Sequence, residues 1–157
     1  MTTRVIQSKC KDSHLDEVSK ELMRQASQCV STKGEFHLAL SEVNTLDDFY
    51  ARLMFDPDLR MFPWGKTQLW FFGEAAETDS IQTALSAHSG IPDEQVHHVH
   101  DGLTDEVTID CCISDGNDLN GFPEAFAKLC SSWLIVASET LPEVNLGGVT
   151  HIFVMNK

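Results

Sequence analysis

The 157-residue chain is 42% hydrophobic, enough to close one sizeable core, and it reads as a single domain over 1–157. Its 11 Lys and Arg stand against 24 Asp and Glu. The resulting formal net charge of -13 argues against nucleic acid, whose binding needs basic residues to neutralise phosphates, and against an anionic membrane surface. No apolar run is long enough to span a bilayer, and the opening MTTRVIQSKCKDSHLDE lacks an apolar signal core, so the expected compartment is the cytoplasm.

The first strong periodicity is LDEVSKELMRQASQCV, with Leu15, Val18, Leu22, Ala26 and Cys29 at helical spacing behind a capping box from Ser13 to Asp16. Gly34 separates it from the short strand FHLAL. A second helix is expected from Thr45, with Asp48 as its capping partner and Leu46, Phe49, Tyr50 and Leu53 on one face; Pro57 ends it. TQLWFFG is apolar enough to be a strand covered on both faces. A short helix over 79–88, the extended piece QVHHV, a third main strand in VTIDCCI and a helix over 124–130 follow. WLIVAS and THIFVM complete the strands. Strands at 36–40, 68–72, 109–113, 134–137 and 151–154, separated by helices, predict an α/β fold. The sheet is expected to be doubly wound and mainly parallel, with helices on both faces in a three-layer αβα arrangement.

The odd set Cys10, Cys29, Cys111, Cys112 and Cys130 has no CxxC spacing and reads as reduced, mostly packed thiols rather than zinc ligands or disulfides. In HHVHD, strand alternation puts His98 and His100 on one face and His97 on the other, which allows a two-histidine metal site with Asp101 but equally suits partly exposed strand histidines. Trp64, Trp70 and Trp133 lie in or beside strands and read as core.

Ligands of such sheets sit beyond the carboxyl ends of the strands. The loops there read SEVNTLDD, GEAAETDS and SDGNDLNGFPE. Taken alone, SDGNDLNGFPE fails as a calcium loop: counted from Asp115, Leu119 fills the fifth place and Phe126 the twelfth. A solvated turn that caps the next helix accounts for every polar residue in it.

The order and spacing of FHLALSEVNTL, FPWGKTQLWFFGEAAE, SGIPDEQVHHV and ISDGNDLNGFP resemble the 6-phosphogluconolactonase branch of the glucosamine-6-phosphate isomerase superfamily. That family has a strand before SGGSTP, a tryptophan-led strand before GDER, a GIP-type segment before a VHxx strand, and a strand before DGHTASLFPG. The resemblance implies the three-layer fold, a sugar-phosphate ligand, no metal and no cofactor, with the histidines of the VHxx strand serving no metal. It also implies that the chain stops at Lys157 short of the family's last elements, a C-terminally shortened form whose bared strands favour a homodimer.

The motifs depart from the family residue by residue. Ser41 matches the family serine, but Glu42 and Val43 replace two glycines that let backbone N–H groups close on a phosphate. Gly73 and the acid Glu74 remain, while Ala75 and Ala76 leave no arginine. Asp115, Gly116, Phe122 and Pro123 match; Asn117 replaces the histidine, Cys111 and Ile113 replace the preceding GxG, and Gly148-Val149 stand where the family has an arginine. An amide cannot shuttle a proton near neutral pH as an imidazole can. The resemblance therefore implies an inactive or weakened homologue that keeps the fold as a binding or interaction module. Its vestigial catalytic set is Asp115, Asn117 and Glu74, and its ligand frame is Ser41, Asn44, Thr45, Gly73 and Gly116. Two alternatives stand beside it: an active hydrolase or isomerase with a site rearranged around Ser41, Glu74, Asp115 and Asn117, and a sugar-phosphate-sensing regulatory module.

Overall fold

The strands form where β-branched and aromatic residues run together, and the structure places them in one parallel sheet. It is a computed structural model that describes residues 2–41, 46–59, 61–72, 90–98, 108–114, 130–137 and 149–155. In chain order the elements are β1 (Thr2–Ser8), α1 (Lys11–Lys33), β2 (Phe36–Ser41), α2 (Asp47–Phe55), β3 (Thr67–Phe72), β4 (Val96–His98), β5 (Cys111–Ser114), β6 (Ser132–Ala137) and β7 (Val149–Met155). The sheet has seven strands in the order β1-β7-β6-β5-β2-β3-β4, every neighbouring pair parallel. The α/β, parallel-sheet expectation holds. The expected helices at 79–88 and 124–129 lie outside the described residues.

α1 buries Leu15, Val18, Leu22 and Ala26 against the sheet. The same face carries Phe36, Leu38 and Leu40 of β2, Leu69 and Phe71 of β3, Ile113 of β5, Leu134 of β6 and Phe153 of β7, with Phe49, Tyr50 and Leu53 of α2 completing the cluster. Ala39, Trp70, Cys112, Trp133, Ile135 and Ile152 fall on the opposite face by strand alternation and are buried too. Burial on both sides is why these strands read as unbroken apolar runs.

Four local expectations are corrected. α1 begins at Lys11, and its N-cap, Cys10, makes no side-chain cap bond, so Ser13 and Asp16 form no capping box. Ion pairs fix that first turn instead: Lys11 with Asp48, and Arg52 with Asp12 and Asp16. Asp48 pairs with Lys11, and α2 starts at Asp47 behind Leu46, which makes no side-chain cap bond; the expected cap Thr45 lies outside the described residues. The third main strand begins only at Cys111, because the chain bends at Asp110, and Cys130 makes an isolated parallel bridge to Ile109 in place of a helical turn. β1 was not expected at all. It is an edge strand whose Arg4, Val5 and Gln7 are all exposed, so it shows no one-sided apolar pattern.

α1 ends at Gly34, whose φ of 87° lies in the left-handed region and whose N–H donates to the Val30 carbonyl at 2.9 Å. The chain then enters β2 beside a buried carboxylate. Asp110 accepts from the Lys33 ammonium and from the His37 backbone N–H, and its own N–H donates to the His37 carbonyl at 2.9 Å. Asp110→Ala orphans the His37 N–H and is expected to cost about 1–3 kcal/mol by chemical denaturation. Asp110→Asn, which keeps an acceptor oxygen, should cost less; equal losses would assign the effect to charge rather than to the backbone bond.

Candidate functional site

Because all strands are parallel, their carboxyl ends share one edge of the sheet. From β2 the chain crosses to β3 on one side, whereas β5 lies on the other, so the winding direction reverses between β2 and β5. That crevice is where doubly wound sheets bind ligands. Leu40 pairs with Ile113, and the next residues, Ser41 and Ser114, end their strands level. On the far side of β2, Ser41 pairs with Phe72, the last residue of β3. Three neighbouring strands span about 10 Å, a distance that one sugar phosphate can bridge.

The structure thus brings together the stems of all three loops singled out from sequence. Ser41 is the last residue of β2; Gly73 and Glu74 follow β3, and Asp115, Gly116 and Asn117 follow β5. Asn44, Thr45, Gly73, Glu74, Asp115, Gly116 and Asn117 themselves lie outside the described residues. Ser114 was read as part of the polar loop, yet it is the last residue of β5 and fully buried. A buried hydroxyl at the base of the crevice was legible only as a small polar residue closing an apolar strand.

Of the histidine cluster, the ring of His97 is described. Trp70, on the face opposite α1, stacks on His97 with ring centroids 4.3 Å apart, and its indole N–H donates to His37 Nδ1 at 3.1 Å. An indole nitrogen can only donate, so Nδ1 accepts, and the His37 proton sits on Nε2, 3.0 Å from Glu35 Oε1. His97 Nε2 lies 2.7 Å from Gln68 Oε1. These rings are held by one another and by an amide, and among the described residues no group of three His, Cys, Asp or Glu could hold a metal ion. His100 and Asp101 lie outside the described residues.

None of the five cysteines is in a disulfide, as the sequence predicts. Burial pushes the Cys111 thiol well above its ordinary value, and burial followed by the nearby Asp110 raises that of Cys29, so neither is a nucleophile near neutral pH.

Burial lowers the ring pKa of His14, of His97, where His37 adds to the effect, and of His151, where Glu21 opposes it and Arg4 and Arg24 reinforce it. Between those lowered folded values and the ordinary 6.5, the unfolded chain binds more protons, so stability should fall as pH drops through 6.5. Burial opposes ionisation of Glu21, but bonds from Arg24 and Gln25 outweigh it, so the stability it contributes is lost only below its ordinary 4.5. Denaturation midpoints at pH 7.5 and 5.5 should therefore differ, the lower pH being less stable. His97→Gln should narrow the gap.

No protein-family model and no curated protein matches the chain. Its architecture does match solved structures. A 6-phosphogluconolactonase from Thermotoga maritima superposes with a TM-score of 0.74 at 15% identity, over 98% of this chain and 100% of that one. One from Shewanella baltica OS155 gives 0.66 at 8% identity over 98% and 97%, and one from Leishmania guyanensis gives 0.60 at 11% identity over 99% and 97%. What is shared at these identities is the fold, and this chain has the α/β fold of the 6-phosphogluconolactonases.

Proposed function

We propose that the protein keeps this fold as a binding or interaction module, with the β2/β5 crevice as its ligand site, and has lost, or greatly weakened, lactonase chemistry. The observation that supports this reading is topological. The winding reversal falls between the two strands whose following segments carry the motif departures, Glu42-Val43 after β2 and Asn117 after β5.

The chemistry follows from those residue types. Glu42 and Val43 bring a carboxylate and a β-branched side chain to a position where glycines would offer backbone N–H groups to a phosphate. Ala75 and Ala76 supply no guanidinium for bidentate contact. Asn117 supplies an amide where proton transfer to or from water needs an imidazole, and loss of a general base costs two to four powers of ten in rate, about 3–5 kcal/mol. Ser41, Asp115 and Gly116 retain the frame around a ligand of this class.

Hydrolysis of 6-phosphogluconolactone by the purified protein, with the spontaneous rate subtracted, is expected to be at background, and Asn117→His alone should not restore it because positioning groups are missing as well. Clear turnover that Asp115→Asn or Asn117→Ala abolishes would instead assign an active hydrolase with a rearranged site. A thermal-shift series with sugar phosphates tests binding separately: the expected result is stabilisation that Ser41→Leu removes.

A further inference from the structure

A second anion site is indicated away from the crevice, along the outer edge of the sheet. β1 and β7 pair so that Arg4 lies beside His151, and together with one side of α1 they enclose a groove of about 190 Å³. Its charged lining is Arg4 from β1, His151 from β7, and Lys20 and Arg24 from α1, against Glu17 and Glu21. With His151 neutral, three cations and two carboxylates line the groove; Arg24 is paired with Glu21 and Lys20 lies 3.4 Å from Asp16, so Arg4 is the cation of the lining left without an ion pair among the described residues.

The carboxylates do not balance the cations equally. Glu21 is occupied: it receives Arg24 Nε at 3.0 Å, Arg24 Nη2 at 2.6 Å and Gln25 Nε2 at 3.0 Å. Arg24 is also held by Gln28 through Nη1 at 3.1 Å, so its guanidinium is fixed in place. Arg4 has no hydrogen bond or ion pair among the described residues, although its guanidinium has five N–H donors. His151 is only 7% exposed, its Nε2 stops 3.8 Å from Glu21 Oε1, and its Nδ1 is buried without a partner among the described residues. Ile6 and Phe153 form an apolar floor beside these groups.

We propose that this groove binds a small phosphate monoester, its dianion taken by Arg4, Lys20 and the preset Arg24 and its organic body laid on Ile6 and Phe153. Cations converging from a strand and a helix suit three phosphate oxygens better than the two of a carboxylate, and Arg4 adds the fork geometry that phosphate accepts. The site is separate from the β2/β5 crevice, and it stands or falls independently of the function proposed there.

The test titrates the protein with phenyl phosphate while following the His151 ring signals by NMR, with calorimetry for affinity. His151 signals should shift with saturation. Arg4→Gln should weaken binding roughly tenfold, and Glu17→Gln, which removes a repelling charge, should tighten it. Lys66→Gln, which makes the same change of net charge as Arg4→Gln at an exposed position outside the groove, should leave affinity unchanged. Benzoate, with the same ring and one charge fewer, should bind more weakly than phenyl phosphate. His151 signals that do not move, or an Arg4→Gln protein that binds as the parent does, would overturn the site; benzoate binding as tightly as phenyl phosphate would overturn the assignment to phosphate.

Discussion

One buried carboxylate sets the geometry on which the ligand crevice depends. Asp110 takes a proton-donating contact from the end of α1 through Lys33, another from the start of β2 through the His37 N–H, and returns its own N–H to the His37 carbonyl. Three elements are thereby tied at the amino edge of the sheet. From His37 to Ser41 is four residues, and from Asp110 to Ser114 is also four, so strands pinned level at one edge arrive level at the other. The crevice is a copy, about 13 Å away, of an alignment made by this clamp. A one-residue slip there would exchange the two faces of β5, setting Cys111 and Ile113 against the face of Trp133 and Ile135.

The two edges of the sheet divide the labour. At the amino edge, polar groups are satisfied by one another: the Asp110 clamp, the His37–Trp70 bond and the His97–Gln68 bond leave little capacity for a ligand. At the carboxyl edge the strands hand over to polar loops. Along the lateral edge, Arg4 of β1 has no ion pair among the described residues and lines a groove with the apolar Ile6 and Phe153. The proposed ligand sites therefore lie where the strands end and where the sheet stops, away from the described rings of His37 and His97.

Much of the sheet was legible because strands buried on both faces cannot hide. FHLALS, TQLWFF and SWLIVA are apolar regardless of register, and the structure keeps each as a strand. β1 escaped because an exposed edge strand needs no apolar face; only the β-branched Thr2, Thr3, Val5 and Ile6 hint at it, and its partner is supplied by the far end of the sequence. The helix starts were misread for a related reason. Ser13 to Asp16 fits the local grammar of a capping box, but α1 begins two residues earlier, and Asp12 and Asp16 are engaged by Arg52 from α2, a long-range contact that local sequence does not show. At the candidate site, the order of loops and the substitutions within them could be read directly from residue types. The alignment of the strand ends that lead into them could not, since it follows from β5 lying beside β2 while β3 takes the other side.

The pairing of β1 with β7 also has a temporal side. Thr2 meets Val149, residues 147 positions apart, and this strand pair forms one outer edge of the sheet. On a ribosome adding about 5–20 residues each second, the first strand waits on the order of ten seconds for its partner to emerge. Until then α1 can fold on local contacts, but β1 remains an unpaired template beside it. The exposed charged and amide side chains that made β1 invisible as a strand, Arg4 and Gln7, also flank its apolar Val5 and Ile6, and such flanking polar residues make an unpaired strand less adhesive to other nascent chains.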